Sequence, residues 1–70
     1  MEGVESEIGV RIKALRKSNG ISRRSFAMMV GLSASCLDEI EDGSRTISVA
    51  TLARIAQGLG VLPGDLIGGS

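Results

Sequence analysis

The sequence predicts an all-α protein, a compact bundle of five short helices. Apolar residues recur at helical spacing along most of the 70 residues, and no segment alternates as a half-buried strand would. Serines precede these apolar stretches and glycines follow them, which is the usual order of helix caps. A domain this small buries little surface, so close helix packing, a metal or a partner subunit must stabilise it.

The first two helices are predicted from apolar stripes that lie between a serine and a glycine. The stripe of helix one contains Ile8, Ile12 and Leu15. Ser6 is a suitable N-cap for this helix, and Gly20 lies where a left-handed residue would end it. Helix two is expected to begin after Ser22 and to end at Gly31. Its inner face is expected to contain Phe26, Ala27 and Val30.

Helix three follows helix two after a very short interval, Gly31-Leu32-Ser33. It is expected to begin after Ser33 and to end at Gly43. Its inward residues are Leu37 and Ile40. A three- or four-residue turn that contains glycine between two short helices indicates a helix-turn-helix. Leu32 is expected to point between the two helices and to fix their angle.

Helices four and five complete the predicted bundle. Helix four is expected to begin after Ser48 and to end at Gly60. Its inner side would contain Val49, Leu52, Ile55, Ala56 and Leu59. Pro63 suits the first turn of a short helix five, although Leu62 is a poor cap for it. We expect a single domain over residues 1–70, with its core in residues 8–67 and flexible ends at residues 1–5 and 68–70.

The composition argues against an enzyme. The chain has no His, Tyr or Trp, so general acid–base catalysis would depend on a few carboxylates. Cys36 is the single cysteine, has no imidazole to activate it, and is expected to be a half-buried helix residue. With no His and one Cys, neither a metal site nor an internal disulfide is expected. We predict no cofactor and no small-molecule ligand.

The sequence also lacks the patterns of export and of membrane insertion. No apolar run reaches the roughly 18 residues that a membrane helix needs. The first ten residues contain three glutamates and no base, unlike a signal peptide. We therefore expect a soluble, cytoplasmic protein without a membrane partner.

The net charge is zero, but the charges are unevenly distributed along the chain. Six bases fall within 14 residues: Arg11, Lys13, Arg16, Lys17, Arg23 and Arg24. Four acids fall within five residues: Asp38, Glu39, Glu41 and Asp42. A marked charge asymmetry is expected, with predicted helix three strongly acidic.

Four segments, "IGVRIKALRKSNGIS", "FAMMVGLS", "LDEIEDGSR" and "LARIAQGLGV", resemble in order and spacing the phage-repressor and Cro-like helix-turn-helix domain of bacterial regulators, the xenobiotic-response-element type. The resemblance extends from about Ile8 to Ile67. It implies a lambda-repressor-like bundle of five helices, with the helix-turn-helix formed by helices two and three. It also implies that helix three enters the major groove of double-stranded DNA, usually as part of a homodimer on a palindromic site.

The resemblance implies roles for individual residues. Arg16 and Glu41 match an arginine and a glutamate that form a structural ion pair between helices one and three in the family. The predicted DNA-binding residues are Ser22, Arg23, Arg24, Ser33, Ala34, Ser35, Asp38, Arg45 and Thr46. Three arginines among them, with Lys17, would provide about four phosphate contacts per subunit.

Predicted helix three departs from the family at the positions that would face DNA. Ala34 replaces a long polar side chain, so it can offer only a methyl group, for example to a thymine methyl. Asp38 can accept a hydrogen bond from cytosine N4 but would repel nearby phosphates. If Asp38 and Asp42 faced the DNA, nonspecific affinity would be low. The sequence leaves their orientation open.

Two apolar features are expected at the surface. At least one of Met28 and Met29 should be exposed, because these positions are often polar in the family. The C-terminal apolar run exceeds what a short terminal helix can bury against one core. A dimer interface is therefore predicted at Leu62, Leu66 and Ile67.

Two functions follow from these observations. The first is a sequence-specific DNA-binding transcriptional regulator, a repressor or small control protein that acts as a dimer on an operator. The second is a protein-interaction module on the same fold with weakened DNA binding. The first is the leading hypothesis. The acidic helix three, Ala34 and the expected exposure of methionine motivate the second as its alternative, because each of them departs from a DNA-reading surface.

Overall fold

The computed structural model describes residues 4–67. Its helices are α1 (Val4–Ser18), α2 (Arg23–Val30), α3 (Ala34–Asp42), α4 (Val49–Leu59) and α5 (Pro63–Ile67). Residues 4–67 contain no strand, and the predicted all-α bundle of five helices is confirmed. The predicted flexible ends lie outside the described residues, except for Val4 and Glu5, which belong to α1.

One hydrophobic core holds the five helices together. The largest side chains that are fully buried in it are Phe26, Ile12, Leu37, Ile55 and Leu66. These residues come from each of the five helices, so every helix contributes to the same apolar interior. Helix α1 packs against α3, α4 and α5, while α2 packs against α3 and α4. Each helix therefore depends on its neighbours for stability, as expected for elements too short to persist alone.

Serine caps and glycine stops define α2, α3 and α4, as the sequence predicts. The hydroxyls of Ser22, Ser33 and Ser48 each accept a hydrogen bond from the backbone N–H three residues later, at 3.0–3.1 Å. Each of the three helices ends at a glycine with a left-handed backbone. These caps satisfy backbone groups that a helix end would otherwise leave unpaired.

Two predictions about the helix starts are wrong. Helix α1 begins at Val4, so Ser6 lies inside its first turn and is not its N-cap. Val49 was expected in the core, but it is 84% exposed because the first residue of α4 lies beyond the edge of the core. The start of α5 is stabilised by a contact that its poor cap, Leu62, did not lead us to expect. The Asp65 carboxylate accepts a hydrogen bond from Leu62 N–H at 3.0 Å.

Helices α1 and α3 are in close contact at Gly9, a buried residue that sequence reasoning did not single out. A Cβ atom at this position would collide with the backbone carbonyl oxygen of Ile40 and would lie 2.6 Å from that of Glu41. The absence of a side chain at Gly9 therefore lets the two helix backbones come into contact.

The longest helix in the described part of the chain is α1, with 15 residues. No helix within residues 4–67 has the length and apolar character needed to cross a membrane.

Candidate DNA interface

The connection between α2 and α3 is a tight turn centred on Gly31. This residue has a φ of 73°, a left-handed conformation that glycine adopts without strain. The N–H of Gly31 donates to Met28 O at 3.3 Å, and that of Leu32 donates to Ala27 O at 2.8 Å. Leu32 is half-buried and packs against the core. The turn and this packing hold α2 and α3 close together.

Arg54 of α4 adds a second restraint at the end of α2. Its Nε donates to the carbonyl oxygen of Val30 at 3.1 Å, and its Nη2 donates to that of Gly31 at 3.2 Å. A cation at a helix C-terminus satisfies the last carbonyls and interacts favourably with the helix dipole. Sequence reasoning missed this role, although Arg54 is the one charged residue of α4 and was a visible signal.

A buried ion pair connects α1 to the end of α3. Arg16 Nε lies 2.7 Å from Glu41 Oε2, and Arg16 Nη2 lies 3.0 Å from Glu41 Oε1. Arg16 is 5% exposed and Glu41 is 6% exposed. The hydrogen bonds to Glu41 raise the pKa of Arg16. The remaining guanidinium nitrogen, Nη1, donates to Ile21 O at 2.8 Å, so the same arginine also secures the α1–α2 loop. The predicted structural ion pair is present.

The predicted DNA-binding residues lie near the start of α2, along the outer side of α3 and in the loop after α3. All of them are exposed except Asp38, which is half-buried. Ala34 and Ser35, at the start of α3, are exposed and Asp38 is half-buried, whereas Leu37, Ile40 and Glu41 of the same helix are buried. Ser22 and Ser33 also serve as N-caps, so their hydroxyl oxygens already accept backbone hydrogen bonds.

An ion pair between α2 and α3 joins two of these residues. Arg23 Nη1 lies 2.7 Å from Asp38 Oδ1, and the side chains are 51% and 44% exposed. Arg23 is the first residue of α2, and Asp38 lies in the middle of α3. The pair therefore spans the helix-turn-helix on its solvent side. The sequence did not reveal this contact.

A second exposed ion pair joins α3 to the loop that follows it. Arg45 Nε donates to Glu39 Oε1 at 2.7 Å, and Arg45 Nη2 lies 2.7 Å from the same oxygen. The side chains are about half exposed, and the hydrogen bond to Glu39 raises the pKa of Arg45. Two of the three arginines predicted to contact phosphate are thus already paired with carboxylates of α3.

These contacts explain the acidic character of α3. Arginines from three different segments pair with three of its four acids. Asp42 is exposed and has no ion-pair partner within residues 4–67. Arg24 likewise has none among residues 7–67, whose side chains the structure describes.

The apolar surface only partly matches the predicted dimer interface. Leu62 is 72% exposed and Ile67 is 47% exposed, but Leu66 is fully buried. The prediction is corrected at Leu66, because its side chain fills the core and is not available to a second chain. Met28 and Met29 are both exposed, as expected for at least one of them.

The tight turn, the capped pair α2–α3 and the exposed outer side of α3 define a helix-turn-helix protein. A family model described as a helix-turn-helix domain matches residues 9–69. The chain therefore belongs to the helix-turn-helix domain family of transcription regulators, which are not enzymes.

Two relatives are similar to this chain over nearly their whole length. Control protein C.MunI from Mycoplasma sp is 33% identical over 67 residues, which are 94% of this chain and 90% of that protein. The uncharacterized HTH-type transcriptional regulator YazB from Bacillus subtilis is 41% identical over 64 residues, 90% of this chain and 93% of that protein.

Solved structures show the same fold. The restriction-modification controller protein C.AhdI from Aeromonas hydrophila superposes with a TM-score of 0.85 and 29% identity, covering 89% of this chain and 94% of that chain. SinR, the master regulator for biofilm formation, was solved in complex with DNA. It superposes with a TM-score of 0.83 and 32% identity, covering 87% of this chain and 98% of SinR.

Proposed function

We propose that this protein regulates transcription by binding a palindromic operator as a homodimer, with α3 of each subunit in the major groove. The observation that carries the proposal is the outer side of α3, which is exposed while its inner side is fixed by the core and by the Arg16–Glu41 pair. A rigid helix with a free polar side is what base recognition requires. The similarity to SinR, which was solved with DNA, supports the proposal.

Sequence recognition is assigned to three side chains of α3. The Ala34 methyl group can contact a thymine methyl, and the Ser35 hydroxyl can donate to or accept from a base edge. Asp38 can accept a hydrogen bond from the N4 amino group of cytosine. Each subunit would therefore read a short half-site through one methyl contact and two hydrogen-bonding groups.

Phosphate contacts are assigned to Arg23, Arg24 and Arg45, which flank α3 on both sides. Guanidinium groups bind phosphate oxygens strongly and orient a protein on the duplex without reading its sequence. Ser22 and Thr46 lie beside these arginines in the chain and are exposed, so their hydroxyls can add neutral phosphate hydrogen bonds. These contacts would set the register in which α3 meets the bases.

We assign the dimer interface to Leu62 and Ile67, the exposed apolar residues at the two ends of α5. Replacement of both by aspartate is expected to abolish the dimer in sedimentation equilibrium, because two charges per subunit would have to be buried. Val49→Asp is the matched control, since Val49 is also exposed and lies at the start of α4, about 15 Å along the helix axis from Leu59, the end that leads into α5. A wild-type protein that remains monomeric at high micromolar concentration would contradict this interface.

As a repressor or control protein, the dimer would act in the cytoplasm and would compete with polymerase for the promoter. Its relatives of similar length include C.MunI and C.AhdI, which are named as control proteins. This likeness favours a small control protein over a protein-interaction module. The ion pairs of α3 also favour a control protein, because Asp38 and Glu39 are paired with arginines and do not form an isolated acidic surface.

Selection of binding sites from a random duplex library tests this function. At about 0.1 M salt, where weak electrostatic attraction is partly screened, we expect enrichment of a palindrome. Its half-sites should lie about one helical turn apart, which is the spacing that a symmetric helix-turn-helix dimer imposes. If a folded sample enriches no sequence, the proposal is wrong, and the exposed methionines of α2 become the surface to probe for protein partners.

A further inference from the structure

We propose that Asp38 and Glu39 compete with DNA phosphates for Arg23 and Arg45, and that Asp38 is thereby a specificity-determining residue. When the protein binds DNA, each arginine leaves the carboxylate with which it is paired and binds a phosphate instead. The inference rests on the proposed function, because it concerns how the same surface discriminates between operator and random DNA.

The geometry of the two ion pairs allows such an exchange. Both have N–O distances of 2.7 Å, yet all four side chains are about half exposed. An exposed pair in water is held only weakly, so a phosphate can displace the carboxylate. The Arg16–Glu41 pair has a similar distance but is buried, so DNA cannot reach it. The chain therefore contains exchangeable pairs and a fixed pair of the same chemistry.

The exchange has an unusual dependence on salt. A free arginine that binds a phosphate releases condensed cations from DNA, which makes binding weaken as salt rises. A paired arginine leaves a bare carboxylate behind when it moves to the phosphate. That carboxylate attracts cations from solution, so the net release of ions is close to zero. Arg23 and Arg45 should therefore contribute little to the salt dependence, whereas Arg24, which has no ion-pair partner among the described side chains of residues 7–67, should contribute fully.

The exchange also produces specificity. On random DNA the displaced Asp38 carboxylate would lie near the groove without a partner, which disfavours binding. On the operator the same carboxylate can accept from a cytosine N4, so the lost ion pair is replaced. Glu39 acts on affinity for all sequences, and Asp38 acts on the ratio between operator and random DNA. That ratio is the quantity that matters in a genome.

The test measures affinity for a random 20-base-pair duplex between 0.05 and 0.2 M salt. Asp38→Asn should strengthen binding and steepen the slope of log affinity against log salt by about 0.9 for each arginine released. For two subunits the slope would steepen by about 1.8. Across this fourfold salt range the variant should therefore lose about 12-fold more affinity than the wild type loses. Glu39→Gln should give a similar change through Arg45. Thermal unfolding would show that each variant remains folded.

Asp42→Asn is the matched control, because it removes the same charge from the same helix and has no arginine partner within the described chain. It should leave the slope near the wild-type value. A double-mutant cycle sharpens the test: in an Arg23→Gln background, Asp38→Asn should no longer steepen the slope. Equal steepening in both backgrounds would mean a general charge effect and would overturn the inference.

Other outcomes separate this inference from the proposed function. If Asp38→Asn weakens binding to random DNA, Asp38 holds Arg23 in place for a phosphate and does not compete with it. If the wild type binds its selected operator but no variant changes the slope, the inference fails and the proposed function stands. If neither the wild type nor any variant binds any duplex at 0.05 M salt, the proposed function itself is overturned.

Discussion

Replacement of Glu41 by glutamine is expected to lower the free energy of unfolding by about 3–5 kcal/mol, as is usual when one partner of a buried ion pair is removed. The change keeps the shape of the side chain but leaves the Arg16 guanidinium buried without a counter-charge. A domain of 70 residues has a total stability of only about 5 kcal/mol, so the variant should retain about 0–2 kcal/mol, and up to about half of it should be unfolded at room temperature.

Urea unfolding followed by far-UV circular dichroism measures this loss. Asp38→Asn is the control, because it breaks a pair with the same distance that is half exposed, and exposed pairs contribute at most about 1 kcal/mol. A second variant, Arg16→Met with Glu41→Leu, removes both charges and should recover much of the stability. If Glu41→Gln lowers the free energy of unfolding no more than Asp38→Asn does, the buried pair does not hold α1 to α3 as described.

Gly9→Ala is expected to destabilise the protein by about 2 kcal/mol, which is typical of an overpacked core. The new methyl group would meet the backbone carbonyl oxygens of Ile40 and Glu41, and neither can move without displacing α3. Alanine is the better helix former by about 1 kcal/mol, but the collision outweighs this gain. Separation of α1 from α3 would also misalign the pair that Arg16 forms with Glu41.

Thermal unfolding of Gly9→Ala and Gly64→Ala provides a matched comparison. Gly64 also lies in a helix, but a Cβ there would meet no heavy atom within 4 Å from the rest of the described chain, apart from its two neighbours and the backbone of its own helix. Gly64→Ala should therefore be neutral or slightly stabilising, whereas Gly9→Ala should unfold at a clearly lower temperature. Similar unfolding temperatures for the two variants would show that α1 and α3 do not approach as closely as the structure indicates.

The parts of the fold that depend on local chemistry were predictable from the sequence. The serine caps and the glycine stops of α2, α3 and α4 are set by residues a few positions apart, and most core residues follow the helical period. The prediction of Val49 in the core failed because periodicity identifies a helix face but not where the core ends. Leu66 was assigned to the dimer surface because counting apolar residues does not show which of them point inward.

The pairing of charges was not predictable from local pattern. Arg16 and Glu41 are 25 residues apart, and only the resemblance to a known family indicated their contact. The pairs of Arg23 with Asp38 and of Arg45 with Glu39 depend on the angle between α2 and α3 and on the path of the loop after α3. The sequence showed an excess of acids in α3, whereas the structure shows that these acids neutralise bases brought from elsewhere.

The most direct test of the DNA interface is a ¹⁵N NMR titration of the protein with a duplex enriched by selection. The largest changes in amide chemical shift are expected in residues 33–38, with further changes in residues 22–24 and 45–46. The outer side of α1 around Val10 should change little, because it is exposed and carries none of the residues assigned to DNA. Changes centred instead on Met28 and Met29, with residues 33–38 unaffected, would contradict the assignment of α3 to the major groove.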